Sequence, residues 1–199
     1  MYKQERMNTG DILSYTSREE FRQWLMEHHD SAMECWVTVK KGNPSCDDGC
    51  LFYLDAVEEA LCFGWIDSTN KTHGGRTLQR FSPRKKSSPW SELNLERCRR
   101  LEKLQLMTES GRKALPETPD TGTFAIDPDI VHAFGKNPVA WENFRKFPEL
   151  YRRIRIDTIQ RDKSKDIALF RKRVERLIQK SEQGEMFGAW NDYGRLLNY

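Results

Sequence analysis

The chain has no apolar run approaching the roughly 18 residues a membrane-spanning helix needs. Its opening, MYKQERMNTGD, carries charge without an apolar stretch. Neither membrane insertion nor secretion is expected from this. Cysteine is sparse: five residues, at 35, 46, 50, 62 and 98, an odd number without framework spacing. That pattern argues against a disulfide scaffold and for thiols in a reducing, cytoplasmic compartment. The four histidines, His28, His29, His73 and His132, are scattered without HExxH or any similar spacing. Walker, GxSxG and kinase signatures are missing too, which disfavours a conventional NTPase or hydrolase. Only CDDGC places two thiols, Cys46 and Cys50, close together. Asp47 and Asp48 disfavour thiolates there and no second Cys/His pair follows, so neither a metal nor a cofactor is expected.

What the sequence does have is charge: 33 Lys/Arg and 30 Asp/Glu in 199 residues, beside 37% hydrophobic and 11% aromatic residues. This supplies a core under a heavily solvated exterior, in one domain or one domain plus a small module. The net charge of +3 is unevenly spread. Residues 71–115 hold 12 basic and 4 acidic side chains, and residues 145–176 hold 12 and 5. Such blocks fit an anionic small molecule, an acidic protein surface or nucleic acid. The other open reading is that basic helix faces dock on acidic ones inside the molecule.

Along the chain, Ser17 and Glu20 form a capping box opening a helix that presents Phe21, Trp24, Leu25 and His28 on one side. Residues 35–40 read as a strand and 53–63 as a helix with Leu54, Val57 and Leu61 in register. Strands starting at Trp65 and spanning 77–82 flank Gly74-Gly75, a hairpin with a generous loop, so a small antiparallel sheet is expected. Ser91 caps a helix to about Leu106, with Leu95, Cys98, Leu101 and Leu104 along one side, and Thr108 caps a short one. Residues 116–125 read as a linker. Beyond it, Asp127-Pro128, Asn137-Pro138 and Pro148 start helices, and a last helix aligns Ile167, Phe170, Val174, Leu177 and Ile178. The expected architecture is α+β: a domain over 1–115, the linker, and a helical module over 126–199.

On a helical wheel Glu58 falls inside the arc of Leu54, Val57 and Leu61, whereas Glu59 points away. A buried carboxylate needs a cation, a network or a proton, and the hairpin offers Arg80 and Arg84. A Glu58/Asp67 pair would serve general acid catalysis; an ion pair tying helix to sheet is the structural alternative. The segment QRFSPRKKSSPWS combines four cations, four serines and two aromatics ahead of a helix N-terminus, a composition for anion capture. The ligand cleft expected from these features comprises Glu58, Trp65, Asp67, Gln79, Arg80, Arg84, Trp90 and Ser91. The basic tail, with Arg152, Arg155, Arg171, Lys172 and Arg173, offers a second, nucleic-acid-binding reading.

AVEEALCFGWIDS at 56–68 and QRFSPRKKSSPWSELNLERCRRL at 79–101 resemble the bacterial YdeI/OmpD-associated family, also called bacteriocin-protection proteins. The tail from DPDIVHAFGKNPVAWENF to VERLIQK looks like that family's C-terminal module. After Tyr151 it departs from the usual pattern, reading RRIRIDTIQRDKSKD. The resemblance implies a part in tolerance of bacteriocins or other envelope stress and a link to an outer-membrane porin; it brings no reaction and no catalytic residues.

Overall fold

The computed structural model describes residues 12–44, 49–116 and 124–199. The expected linker falls largely outside the described residues, as do Cys46, Asp47 and Asp48. The chain divides into two compact units, one of residues 1–88 with 98–115, the other of residues 89–97 with 116–199.

The first unit contains β1 (Ile12–Leu13), α1 (Arg18–His28), β2 (Cys35–Val39), α2 (Tyr53–Cys62), β3 (Trp65–His73), β4 (Arg76–Pro83), the C-terminal half of α3 (Glu92–Lys103) and α4 (Glu109–Lys113). The strands form a four-stranded sheet in the order β1-β2-β4-β3. Both β2 and β3 run antiparallel to β4. The strand that periodicity does not predict is β1, two residues long, which pairs parallel to β2 and makes the sheet mixed. The hairpin loop is tighter than expected: the strands reach His73 and Arg76, leaving Gly74 and Gly75 at φ +56° and +74°, values that cost a side chain and suit glycine.

Strand alternation sorts the sheet into two faces. Cys35, Val37, Val39 and Phe81 point inward, where Phe81 meets Phe21 of α1 at 5.5 Å between ring centroids. A register shift between Asp67 and Asn70 of β3 leaves Thr69 off the ladder. The buried Gln79 fills that gap, its amide donating to the Thr69 carbonyl at 3.3 Å. Trp65 is a core residue, edge-on to Trp24 and donating through Nε1 to the His29 carbonyl at 3.1 Å. Leu104, expected along the apolar side of α3, is exposed.

Helix α4 lies tightly against the end of α2. Thr108 caps α4 by accepting from Gly111 N–H, and its own hydroxyl and N–H both donate to the Cys62 carbonyl. A Cβ on Gly111 would fall 2.2 Å from that carbonyl oxygen, and one on Gly64, at φ +74°, 2.9 Å from the Ser110 oxygen.

The second unit begins with the N-terminal part of α3 and continues with α5 (Pro128–Gly135), α6 (Pro138–Lys146), α7 (Glu149–Gln160), α8 (Ile167–Glu182) and a 3₁₀ turn at Asp192–Gly194. Asp127 and Asn137 cap α5 and α6 ahead of their prolines. Phe134, Phe144, Tyr151, Ile156, Phe170, Val174 and Leu177 form the core, while Ile167, expected in that stripe, is exposed. Ser91 caps α3 by accepting from Asn94 N–H at 3.0 Å. Along α3, Arg97 grips Asp192 through two bonds of 2.7 and 2.8 Å, and Glu92 and Glu96 both bind Arg153. Arg155 is buried, donating to the Phe187 carbonyl at 2.7 Å with its guanidinium over the Phe187 ring; burial holds its pKa below the usual arginine value.

Because the obstacle beside Gly111 is backbone, Gly111→Ala is expected to destabilise the protein by about 1–3 kcal/mol, as overpacked sites do. A lowered urea midpoint at unchanged m-value checks this; a midpoint equal to wild type would show that α4 shifts freely.

Candidate functional site

Helix α2 is buried from Leu54 to Cys62, carboxylates included. Asp55, Glu58 and Glu59, at spacings of three, four and one, share one side of the helix. The expectation that Glu58 faces inward holds, at 0% exposure, but Glu59 is equally enclosed, at 1%. The wheel misplaced Glu59 because it weighed only the apolar arc, and α1 covers the neighbouring side. Arg18 of α1 forks across all three, bonding Glu59, reaching Glu58 at 3.3 Å and Asp55 at 3.4 Å. Arg22, one turn on, binds Glu59 at 2.7 Å and donates to the Leu106 carbonyl at 2.8 Å. Arg100 of α3 closes the cluster on Glu58 at 2.9 Å. Burial lowers the Arg18 pKa, but Glu59, Glu58 and Asp55 outweigh it and the net shift is upward. The guanidinium groups bonded to Glu58 thus come from two helices, whereas the sequence pointed to the hairpin.

The remaining predicted residues are distributed differently from the expected cleft. Arg80 leans over the outer face of the sheet, bonded to Glu34 and to Ser68 at 3.2 Å. Arg84 is half-buried, donating to the Ser88 carbonyl at 3.3 Å; burial lowers its pKa against the pull of Cys98 and Asp67. Asp67 accepts from the Tyr53 hydroxyl at 2.7 Å. Glu58 and Asp67 are therefore held by different partners. Trp90 and Ser91 belong to the second unit, the other named residues to the first.

A groove of about 500 Å³ opens instead at the end of the sheet where β2 finishes and β4 begins. Its walls come from the β1–α1 turn (Ser14, Tyr15, Thr16), the end of β2 (Thr38, Lys40, Lys41), residues 49–51 and the hairpin (Arg76, Thr77). The loop is tied to the strand by Lys40 N–H on the Leu51 carbonyl at 2.9 Å and Tyr53 N–H on the Lys40 carbonyl at 2.8 Å. Ser14 and Thr38 share a hydrogen bond of 3.1 Å between hydroxyls. Three cations and four aliphatic hydroxyls thus converge, and among the described residues no carboxylate lines the groove. Anions are what such a lining attracts. No single motif announces it, since its parts come from four chain segments; the available signal was Lys40-Lys41 before Gly42 and Arg76 after Gly74-Gly75, basic residues at both strand-ending turns.

Exposed Cys50 also lines the groove, whereas burial pushes the Cys35 and Cys62 thiols up to about 12. Among the described residues, no three His, Cys, Asp or Glu side chains converge as metal ligands, and no helix is long and apolar enough to cross a membrane.

The ion-pair cluster sets a clear contrast between variants. Glu58→Ala strips Arg18 and Arg100 of a fully buried partner and is expected to cost roughly 3–5 kcal/mol, while Arg80→Ala, whose partner Glu34 is exposed, should cost under about 1 kcal/mol. Chemical unfolding of both variants measures the difference; equal losses would mean that the cluster on α2 does not hold the unit together.

No match was found among curated proteins or among solved structures. Two family models do match. Residues 123–184 match the family described as Bacteriocin-protection, YdeI or OmpD-Associated, through the segment after Tyr151 where the sequence departs from the usual pattern. Residues 13–114, just over half of the chain, match a domain of unknown function, DUF8412, which takes in AVEEALCFGWIDS, QRFSPRKKSSPWSELNLERCRRL and the whole groove. The chain therefore belongs to the DUF8412 family, followed by a module of the Bacteriocin-protection, YdeI or OmpD-Associated family.

Proposed function

We propose that this chain is a non-enzymatic binding protein of the cytoplasm, serving bacteriocin or envelope-stress protection by holding an anionic ligand in the groove at the end of its sheet. The family of residues 123–184 supports the physiological part of this reading, and the thiols of Cys35, Cys50 and Cys62, none in a disulfide, support a reducing compartment. The observation that carries the ligand class is the groove lining: Lys40, Lys41 and Arg76 with the hydroxyls of Ser14, Thr16, Thr38 and Thr77, and, among the described residues, no acidic side chain. This relocates the anion site from Trp65, Arg84 and Ser91, because Trp65 is enclosed in the core and Ser91 is engaged as a helix cap.

The rival reading, acid–base catalysis by Glu58 and Asp67, asks for a carboxyl group open to substrate. Glu58 has no exposed surface and is committed to two arginines. That commitment favours a structural use of the pair's buried member.

Pyrophosphate, nucleotides and phosphosugars in turn are the probes. A ligand at 100 times its Kd should stabilise the protein by about 2.7 kcal/mol, raising the melting temperature and slowing maleimide labelling of Cys50. The double variant Lys41→Glu/Arg76→Glu is expected to fold and lose both responses. Unshifted melting and undiminished Cys50 labelling under every anion would overturn the proposal.

A further inference from the structure

The groove is continuous with a sheet face on which, among the described residues, no strand places a carboxylate. Alternation from the inward Val37, Val39 and Phe81 puts Trp36, Thr38 and then Lys40 outward along β2, and Arg76 and Arg80 outward along β4 on either side of a covered Leu78. Beyond the register shift, Lys71 and His73 of β3 stand opposite Leu78 and Arg76 on the same side. The acidic strand residue Asp67 pairs with Phe81 and faces inward to Tyr53. At the rim, Glu34 is bonded to Arg80, and its pKa is lowered first by that bond and then by Arg80, Trp36 and Lys71. Lys71 holds its ammonium 4.9 Å from the centre of the half-exposed Trp36 ring. The face therefore offers an aromatic ring with Lys71 over it and Arg80 opposite it on β4, leading into the cationic groove.

We infer that the outer face of this sheet binds single-stranded nucleic acid, with a base against Trp36 and the backbone phosphates running past Lys71 and Arg76 into the groove at Lys40 and Lys41. The inference rests on the anion-binding reading of the groove and names its ligand class. Trp36 and Lys40 are separated by four residues of extended strand, about 13 Å, a span suited to several linked nucleotides. An unpaired strand fits because only unstacked bases present a ring to an aromatic side chain, and a basic surface with stacking platforms is how such strands are held without regard to sequence. An acidic protein surface would use the cations but not the ring. The basic helices of the second unit are less suited: Arg153 is committed to Glu92 and Glu96, Arg155 is buried, Arg173 binds Asp162, and Lys163 binds Asp127 and Asp129.

The test is fluorescence anisotropy of a short labelled oligothymidylate and its RNA counterpart over a salt series, with pyrophosphate calorimetry in parallel. Wild type is expected to bind both strands with affinity falling steeply as salt rises. Trp36→Ala should weaken oligonucleotide binding about tenfold, the worth of one stacked base, and leave pyrophosphate affinity unchanged. Lys71→Glu, at an exposed position, should also weaken the oligonucleotide and guards against a folding defect in the tryptophan variant. Pyrophosphate binding without oligonucleotide binding would overturn the inference and leave the groove reading standing; binding of neither would remove both. Oligonucleotide binding that survives Trp36→Ala and Lys71→Glu but is lost in Arg171→Glu/Lys172→Glu, or duplex bound as tightly as single strands, would also overturn it.

Discussion

The first unit depends on a set of charges that it cannot leave unpaired. Asp55, Glu58 and Glu59 sit on a helix buried along its length, and each lone carboxylate there would cost several kcal/mol. Arg18, Arg22 and Arg100 offset that cost, and in doing so fix where α1 and the C-terminal half of α3 must lie against α2. An apolar interface of the same size would accept neighbouring registers. A forked guanidinium bonded to two or three carboxylates accepts few, because geometry as well as contact must be met.

That arrangement frees the other side of the sheet. With α1 and α2 covering the inner face through Phe21, Phe81, Tyr53 and Asp67, the outer face remains for Trp36, Lys71, Arg76 and Arg80. The chain thus separates its charges by purpose. Acidic residues and three arginines are enclosed as mutual partners, and the basic excess of the hairpin and of Lys40-Lys41 is turned outward around the groove. In the second unit the same separation is less complete, since Arg97, Arg153 and Arg173 are all engaged by acidic side chains.

Much of the fold was legible because its signals are local. Ser17, Thr108, Asp127 and Asn137 cap helices whatever surrounds them, since each satisfies N–H groups within its own turn. Gly74-Gly75 marked the hairpin for the same reason. β1 was invisible, being two residues that become a strand only when β2 lies beside them. The cleft was read from the wheel position of Glu58 and from the composition around Trp65 and QRFSPRKKSSPWS, and composition cannot tell a packed tryptophan from a displayed one: Trp65 went inside and Trp36 stayed half-exposed.

The sequence by itself determined the types of the longer elements, the α+β class, the inward carboxylate on the second helix and the concentration of basic charge in two blocks. Tertiary structure alone decided which arginines meet that carboxylate and which cations share a surface. Partner choice between charges is a matter of distance in space, and Arg18 and Arg100 stand 40 and 42 residues from Glu58. Periodicity reports which way a side chain turns about its own axis and carries no information on what the fold brings opposite it.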